Sequence, residues 1–451
     1  RGGRVASIAV PTTWPPTAVN GVVVSGFDSP VSTGIDGSFC WPESLYKELI
    51  SRFGGLNFAD FGESNITRAW QQQAVELLKQ EVKRKTSIAE WLMAKEDWDL
   101  FMMVFGESDT ASHHFWMYYD EKSPRHPSTT ESWQREAIPE VYAALDRSLG
   151  RLMERIDVEL VCLCSDHGFG GASNHAIYLN RFLEHHGFLS YHRDERVAGL
   201  RSGGGFWDRI RSEAVNRLPH RLQGRVFRKV PSRIKNHMES QSRFGNIDFS
   251  KTQAVSDELN YAATIRLNTA KVSSATVPEL SQKLLDWRVD GHSPVSKVET
   301  REALYTGPYV ARSPEIILTL SEREGYTYTV LPSLRTQPGT TWRILEPAER
   351  IGGKGLGMNG THRQHGVLCL YGANITTGLG TADVADVSPT ICAALGESIP
   401  DYMDGSVLSS VFEQAPQLNR VAYSPPSSAP TQGNKAEHDA IKKRLEGLGY
   451  L

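Results

Sequence analysis

Strand-length apolar runs alternate with segments of helical periodicity along this chain, and no other feature narrows the choice of folds as much. The runs RVASIAV at 4–10 and GVVVSGF at 21–27 have the length of a strand, and VELVCLC at 158–164 follows an amphipathic segment at 135–156. Such alternation is typical of a mostly parallel sheet with helices on both faces. We therefore predict an α/β fold of this kind, with a cap or lid insertion.

Changes in composition divide the 451 residues into four parts. Residues 1–189 and 246–423 share the mixed pattern and are predicted to form two parts of one catalytic core, the second with cap elements. Between them, residues 190–245 carry 13 Lys and Arg against 5 Asp and Glu. This segment is either a solvated basic insertion or a lid that presents positive charge to an anionic substrate. Residues 424–451 are predicted to be a linker and a C-terminal helix.

Charge and cysteine content exclude several classes of protein. The net charge of −3 argues against a dedicated nucleic-acid-binding protein, and no apolar stretch reaches the ~20 residues of a membrane-spanning helix. The five cysteines, an odd number, lie mostly in apolar runs, which predicts buried free thiols and a reducing, cytoplasmic compartment. Because the strand at 4–10 has no preceding turn or cap, we expect that part of the fold lies upstream of residue 1.

Three short segments place metal-binding side chains next to predicted strands. Asp109 and His113 are four residues apart, so one helical turn directs both towards a common point, although an N-cap Asp and a surface His would give the same spacing. Asp166 and His167 follow a buried strand, where a charged pair is hard to explain structurally. His362 precedes a strand and lies among glycines. The three segments come from separate parts of the chain and are predicted to meet.

Carboxylate and imidazole ligands in this number suit zinc, or a similar ion such as manganese, at two adjacent sites. Two divalent metal ions about 3.5–4 Å apart are a common device for in-line displacement at phosphorus. Arg363, which follows the last of these histidines, either pairs with a carboxylate or the substrate or is an ordinary surface arginine. The sequence therefore predicts a two-metal phosphoester hydrolase.

Three motifs occur in the order and sense of the type I phosphodiesterases/nucleotide pyrophosphatases, which this chain resembles over nearly its whole length. They are D-x-x-x-H-x-x-W at 109–116, S-D-H-G-F at 165–169 and G-x-H-R-x-x-G at 360–366. The segments at 8–30 and 385–408 look like the bacterial and archaeal branch of this family, and the resemblance is weakest across the basic segment. It implies an alkaline phosphatase-like fold and hydrolysis of small anionic phosphoesters or nucleotides.

The same resemblance implies how the ligands are shared between two ions. One ion would be held by Asp109, His113 and His362. The other would be held by Asp166 and His167, together with an N-terminal Asp and a nucleophilic Thr or Ser.

The family's nucleophile lies upstream of the segment that resembles PTTWPP, so we expect it before residue 1 and do not assign it to Thr12 or Thr13. Two alternatives stay open. A phosphomutase or sulfatase of the alkaline phosphatase superfamily would share the fold, although sulfatases use one calcium ion and the two-histidine site argues against them. A non-catalytic relative is the other alternative.

Overall fold

The computed structural model describes most residues of the chain. They are residues 2–26, 36–54, 68–155, 158–192, 244, 247–258, 263–333, 336–351, 358–378 and 380–423. The predicted basic insertion at 190–245, apart from 190–192 and 244, and the predicted linker and C-terminal helix at 424–451 lie outside them.

The first sheet has the strand order β3-β2-β1-β4, and its central strands are the apolar runs near the start of the chain. β1 pairs in parallel with both β2 and β4, so its buried residues lie in the middle of the sheet. Helices α1 and α2 pack on this sheet through a cluster of fully buried aliphatic side chains. The elements are β1 (Val5–Val10), β2 (Gly21–Ser25), β3 (Cys40–Trp41), α1 (Ser44–Phe53), α2 (Arg68–Met93) and β4 (Leu100–Met103).

Three helices follow β4 and form a second layer with α2. The amphipathic helix predicted at 135–156 is confirmed: α5 buries Ile138, Val141 and Leu152. A buried ion pair between Lys85 of α2 and Glu107 of α3, 2.8 Å apart, also joins this layer. The helices are α3 (Glu107–Tyr119), α4 (Ser132–Arg135) and α5 (Ala137–Met153).

The remaining strands form several smaller sheets around the long strand β6. β6 pairs in parallel with β12 and antiparallel with β13 and β14. β5 pairs antiparallel with β15, and a further sheet has the order β7-β8-β10-β9. The strands are β5 (Leu160–Cys164), β6 (Gly168–Ile177), β7 (Ala254–Val255), β8 (Thr264–Leu267), β9 (Val295–Thr300), β10 (Ile316–Leu320), β11 (Glu322–Arg323), β12 (Tyr326–Val330), β13 (Trp342–Ile344), β14 (Gly360–Arg363), β15 (Leu368–Gly372), β16 (Ile399–Pro400) and β17 (Arg420–Val421).

The largest buried cluster lies between these sheets and two helices, where Leu179, Phe182, Leu280 and Trp287 pack on strands β8 and β10. At 25 cal/mol per Å² of apolar area, one fully buried side chain of this size contributes about 2 kcal/mol. The helices of this part of the chain are α6 (Leu179–His185), α7 (Thr276–Asp286), α8 (Arg301–Leu304) and α9 (Val387–Ala394).

The mixed α/β fold is confirmed, but the described strands do not form the mostly parallel sheet that we predicted. Four strand pairs are parallel and eight are antiparallel. The apolar run at 366–372, for example, pairs antiparallel with the run at 158–164. A short apolar run predicts a strand but does not settle the direction of its neighbours, and neither of these two strands has a fully buried residue.

The thiol prediction holds in part. All five cysteines are free, but Cys164 and Cys369 are exposed rather than buried. Among the helices of the described ranges, none combines the length and apolar character needed to cross a membrane.

Candidate metal centre

The first pair of predicted ligands lies at the start of helix α3, directly after the end of β4. Asp109 is in the first helical turn, where the positive end of the helix dipole favours a carboxylate. His113 follows one turn later on the same face, and it is buried. The predicted i, i+4 arrangement of these two side chains is therefore present.

The second pair lies in the turn between β5 and β6. β5 ends at Cys164 and β6 begins at Gly168, so Asp166 and His167 are free of the strict alternation of a strand. Gly168 is required because a Cβ there would overlap the carbonyl oxygen of His365. Because β5 ends before Asp166, the side chains of Asp166 and His167 need not face opposite sides of a sheet and can lie beside the same site.

The third segment reaches the site through a strand pairing. β14 runs antiparallel to β6, and its register places His362 opposite Phe169. The imidazole rings of His362 and His167 consequently stack, with centroids 3.6 Å apart and an interplanar angle of 18°. A segment nearly 200 residues away in sequence is thereby placed beside the turn that follows β5.

Three ligand atoms from these segments form a nearly equilateral triangle. The Nε2 atoms of His113 and His362 are 3.1 Å apart, and Asp109 Oδ1 lies 3.3 Å from the first and 3.4 Å from the second. Two ligands bound at 2.0–2.1 Å with tetrahedral angles are separated by about 3.3 Å. The triangle therefore has the dimensions of one face of a tetrahedral metal site, with the fourth position open.

The tautomers of the histidines favour metal binding by Nε2. A backbone carbonyl can only accept, so the 2.9 Å contact from His113 Nδ1 to the Gly360 oxygen requires that Nδ1 carries the proton. His167 Nδ1 donates in the same way to the Gly168 oxygen at 2.9 Å. Both Nε2 atoms keep their lone pairs, and the carbonyls fix the orientation of the rings as in established metal sites.

The carboxylate of Asp109 is the electrostatic centre of the group. Burial raises the pKa of this carboxyl, but His113 and His362, when their imidazoles are protonated and no ion is bound, outweigh burial and hold the pKa well below its usual range. Its Oδ1 atom is buried and has no hydrogen-bond donor among the described residues. A buried anionic oxygen with three imidazoles around it is chemically suited to a cation.

His167 and Asp166 lie at the edge of this group. His167 Nε2 is 3.7 Å from Asp109 Oδ1 and 3.6 Å from Asp166 Oδ1. The Asp166 side chain is 86% exposed, whereas that of Asp109 is 42% exposed. All five predicted ligands therefore meet at one place, three of them in a compact triangle and two beside it towards solvent.

Arg363 points away from the triangle because neighbouring residues of a strand face opposite sides. Its guanidinium donates to the Gly171 oxygen at 2.9 Å and to the Gly325 oxygen at 2.7 Å, and it lies 3.4 Å from Glu322. These contacts tie β14 to β6 and to the turn before β12. Substrate binding by Arg363 stays a prediction.

Two buried side chains, one in contact with the site and one near it in sequence, were missed as such from the sequence. The ring of Phe169 packs against His113 at 4.7 Å and His362 at 5.7 Å between centroids, and it stacks on Trp116. Glu107, two residues before Asp109, is buried with Lys85 as its partner. Phe169 and Trp116 belong to the motifs noted above, so a signal was present; the partner of Glu107 depends on helix packing.

We expect the Gly360→Ala variant to lose both stability and metal affinity. A Cβ at this position would overlap the Ser112 carbonyl oxygen and the Phe169 ring, so β14 must move away from α3. Such overpacking costs about 1–3 kcal/mol in the free energy of unfolding, and displacing His362 should weaken zinc binding about 10-fold. Urea unfolding and zinc competition titrations measure the two effects. Gly380→Ala is the control, because a Cβ there meets nothing within 4 Å; equal losses in both variants would contradict the prediction.

Comparison with known proteins gives one match. The family model for type I phosphodiesterase / nucleotide pyrophosphatase matches residues 9–333, which is more than half of the chain. The matched residues include Asp109, His113, Asp166 and His167, and they end before His362. Searches of curated proteins and of solved structures found no match.

Proposed function

Since the chain belongs to the type I phosphodiesterase / nucleotide pyrophosphatase family, in the alkaline phosphatase superfamily, we propose that it hydrolyses phosphodiester or pyrophosphate bonds with the help of divalent metal ions. The observation that carries this proposal is the triangle formed by Asp109, His113 and His362, whose edges of 3.1–3.4 Å fit a tetrahedral ion. The family supplies the reaction class, and the triangle supplies a place for the metal.

One ion would be held by Asp109, His113 and His362, and Asp166 with His167 would supply ligands to a second. Two imidazoles and one carboxylate suit zinc, with manganese as the alternative. Bound ions of this kind lower the pKa of a water molecule and stabilise the negative charge that develops on phosphoryl oxygens.

The protein's own contribution is to keep these ligands in their binding state. The Gly360 and Gly168 carbonyls hold the Nδ1 protons of His113 and His167, so the Nε2 atoms stay available. Phe169 excludes water from one side of the imidazoles, which strengthens electrostatic interactions at the site. The exposed Asp166 side chain marks the side from which a small anionic phosphoester or nucleotide would enter.

For the attacking group we propose a Thr or Ser on the N-terminal side of the segment at 11–16, as the resemblance to the family implies. Thr12 and Thr13 fit this role poorly because their hydroxyls are already committed to local backbone. Thr12 Oγ1 donates to the Pro11 oxygen at 2.7 Å, and Thr13 Oγ1 donates to the Val10 oxygen at 2.6 Å.

The test is a substrate screen of the full-length protein combined with metal analysis. We expect hydrolysis of bis(p-nitrophenyl) phosphate in the presence of zinc or manganese, with much slower hydrolysis of p-nitrophenyl phosphate and p-nitrophenyl sulfate. The diester should stop being hydrolysed after dialysis against a chelator and recover when the metal is returned. Preference for the sulfate ester would favour a sulfatase, and metal binding without any turnover would favour a non-catalytic relative.

A further inference from the structure

A cavity of about 490 Å³ lies at the other end of helix α3 from the metal centre. Its lining begins with Met117 and Tyr118, in the last turns of the helix that carries Asp109 near its start. Met117 lies eight positions after Asp109, which is about 12 Å along the helix axis. The cavity is therefore a separate place in the molecule, and its volume falls within the range of pockets for small organic ligands.

Two arginines line this cavity, and neither has an acidic partner among the described residues. Arg125 is 1% exposed, and its guanidinium donates only to neutral acceptors. These acceptors are the Ser173 and Met358 carbonyl oxygens and the Thr329 hydroxyl, at 2.6–2.9 Å. Its N–H groups are thus largely satisfied, whereas its charge is not compensated.

Arg350 is the second arginine, and its guanidinium makes neither a hydrogen bond nor an ion pair within the described part of the chain. Its Nε atom is buried without an acceptor. The neighbouring acid, Glu349, is occupied by Arg343, which donates to both of its oxygens at 2.6 Å. Both arginines line the same cavity, and burial first, with the charge of Arg350 second, lowers the pKa of Arg125.

The other lining residues leave this positive charge in place. Glu131 is the one acid among the described residues of the lining; it accepts from Trp133 Nε1 at 2.7 Å and caps helix α4, and it forms no ion pair with Arg125 or Arg350. His126 donates from Nδ1 to the Met117 oxygen at 2.8 Å, so that nitrogen is already used. The rim adds hydroxyls from residues 128–130, and Met117 and Ile351 add apolar surface.

We propose that this cavity binds a small organic molecule that carries a phosphate group, with the phosphate against Arg125 and Arg350. Two uncompensated guanidinium groups at a cavity wall cost free energy, which an oxyanion recovers through charge-assisted hydrogen bonds from Arg350 and through attraction to the charge of Arg125. The planar N–H donors of a guanidinium group match the oxygens of a phosphate better than they match a spherical anion. The volume exceeds what inorganic phosphate needs, and the apolar lining suits the organic part of the ligand.

The test is isothermal titration calorimetry on the full-length protein carrying His113→Ala, in a chelating buffer, so that the metal centre cannot hold phosphate. Phenyl phosphate, inorganic phosphate and phenol are the three probes. We expect saturable binding of phenyl phosphate, weaker binding of inorganic phosphate and no binding of phenol. Equal affinity for phenyl phosphate and inorganic phosphate would overturn the assignment of an organic ligand, and no saturable binding by any probe would overturn the site itself.

Two variants in this background locate the binding. Arg350→Gln changes a partly exposed position and should weaken phenyl phosphate binding at least about 10-fold. This is the loss expected when one charge-assisted hydrogen bond is removed. Thr129→Trp should block the cavity from its rim with a similar loss. Lys122→Gln is the matched control, because it removes the same charge from the neighbouring loop without lining the cavity. Unchanged affinity in Arg350→Gln, or an equal loss in Lys122→Gln, would overturn the proposal.

Discussion

The His362→Ala variant is expected to bind zinc at least about 100-fold more weakly than the wild-type protein, because it removes one corner of the ligand triangle. The remaining atoms, Asp109 Oδ1 and His113 Nε2, are 3.3 Å apart and can still contact an ion. Two ligands do not fix a tetrahedral geometry, however, and His362 also holds the stacked ring of His167 in place. Competition with a chromophoric chelator, together with elemental analysis, measures the change in affinity.

His365→Ala is the matched control for this variant. His365 is exposed, lies three residues after His362 and belongs to no group of three His, Cys, Asp or Glu residues that could hold an ion among the described residues. The zinc affinity of the His365→Ala variant should equal that of the wild-type protein. If His362→Ala kept tight binding, or if both variants lost it equally, the triangle would not be the metal site.

The second large effect is expected in catalysis. In the full-length protein, His167→Ala should retain one tightly bound zinc ion and lose about 1,000-fold in kcat/KM for a phosphodiester. The reason is that His167 lies outside the triangle, with its Nε2 atom 3.7 Å from Asp109 Oδ1, beside the exposed Asp166. A second ion would depend on this pair, whereas the first would not.

The comparison with His113→Ala separates the two roles. His113→Ala should lose the tight ion as well as activity, because His113 is a corner of the triangle. Metal stoichiometry and diester hydrolysis are measured on the same samples. An active His167→Ala protein, or one that loses its tight zinc to the same extent as His113→Ala, would contradict the assignment of these ligands to two ions.

The local parts of the site were predictable because they depend on short spacings. Asp109 and His113 lie one helical turn apart, and Asp166 and His167 follow a strand that ends early at Cys164. Long-range pairing was not predictable in the same way. His362 reaches the site because β14 runs antiparallel to β6, and nothing within the segment itself indicates that partner.

The direction of the strands was the part of the fold that sequence reasoning missed. A short apolar run has the same composition whichever way its neighbour runs, so the run at 366–372 did not indicate its antiparallel pairing with β5. The arrangement of the two arginines in the cavity could not be predicted from the sequence for a related reason. Arg125 and Arg350 are far apart in sequence, and only the packed structure shows that they line one cavity and that neither pairs with a carboxylate of the described residues.

The hydrogen bond between His113 and the Gly360 oxygen joins residues 247 positions apart, and this has a consequence for biosynthesis. Domains begin to fold while the ribosome still adds about 5–20 residues per second, starting from the N-terminal side. Helix α3 can form early in synthesis, but the triangle lacks a corner until β14 has emerged and paired with β6. A nascent chain therefore cannot retain an ion tightly before residues 360–363 have left the ribosome. Metal capture is therefore coupled to the pairing of β14 with β6, so the supply of metal acts on a chain that already extends beyond residue 363.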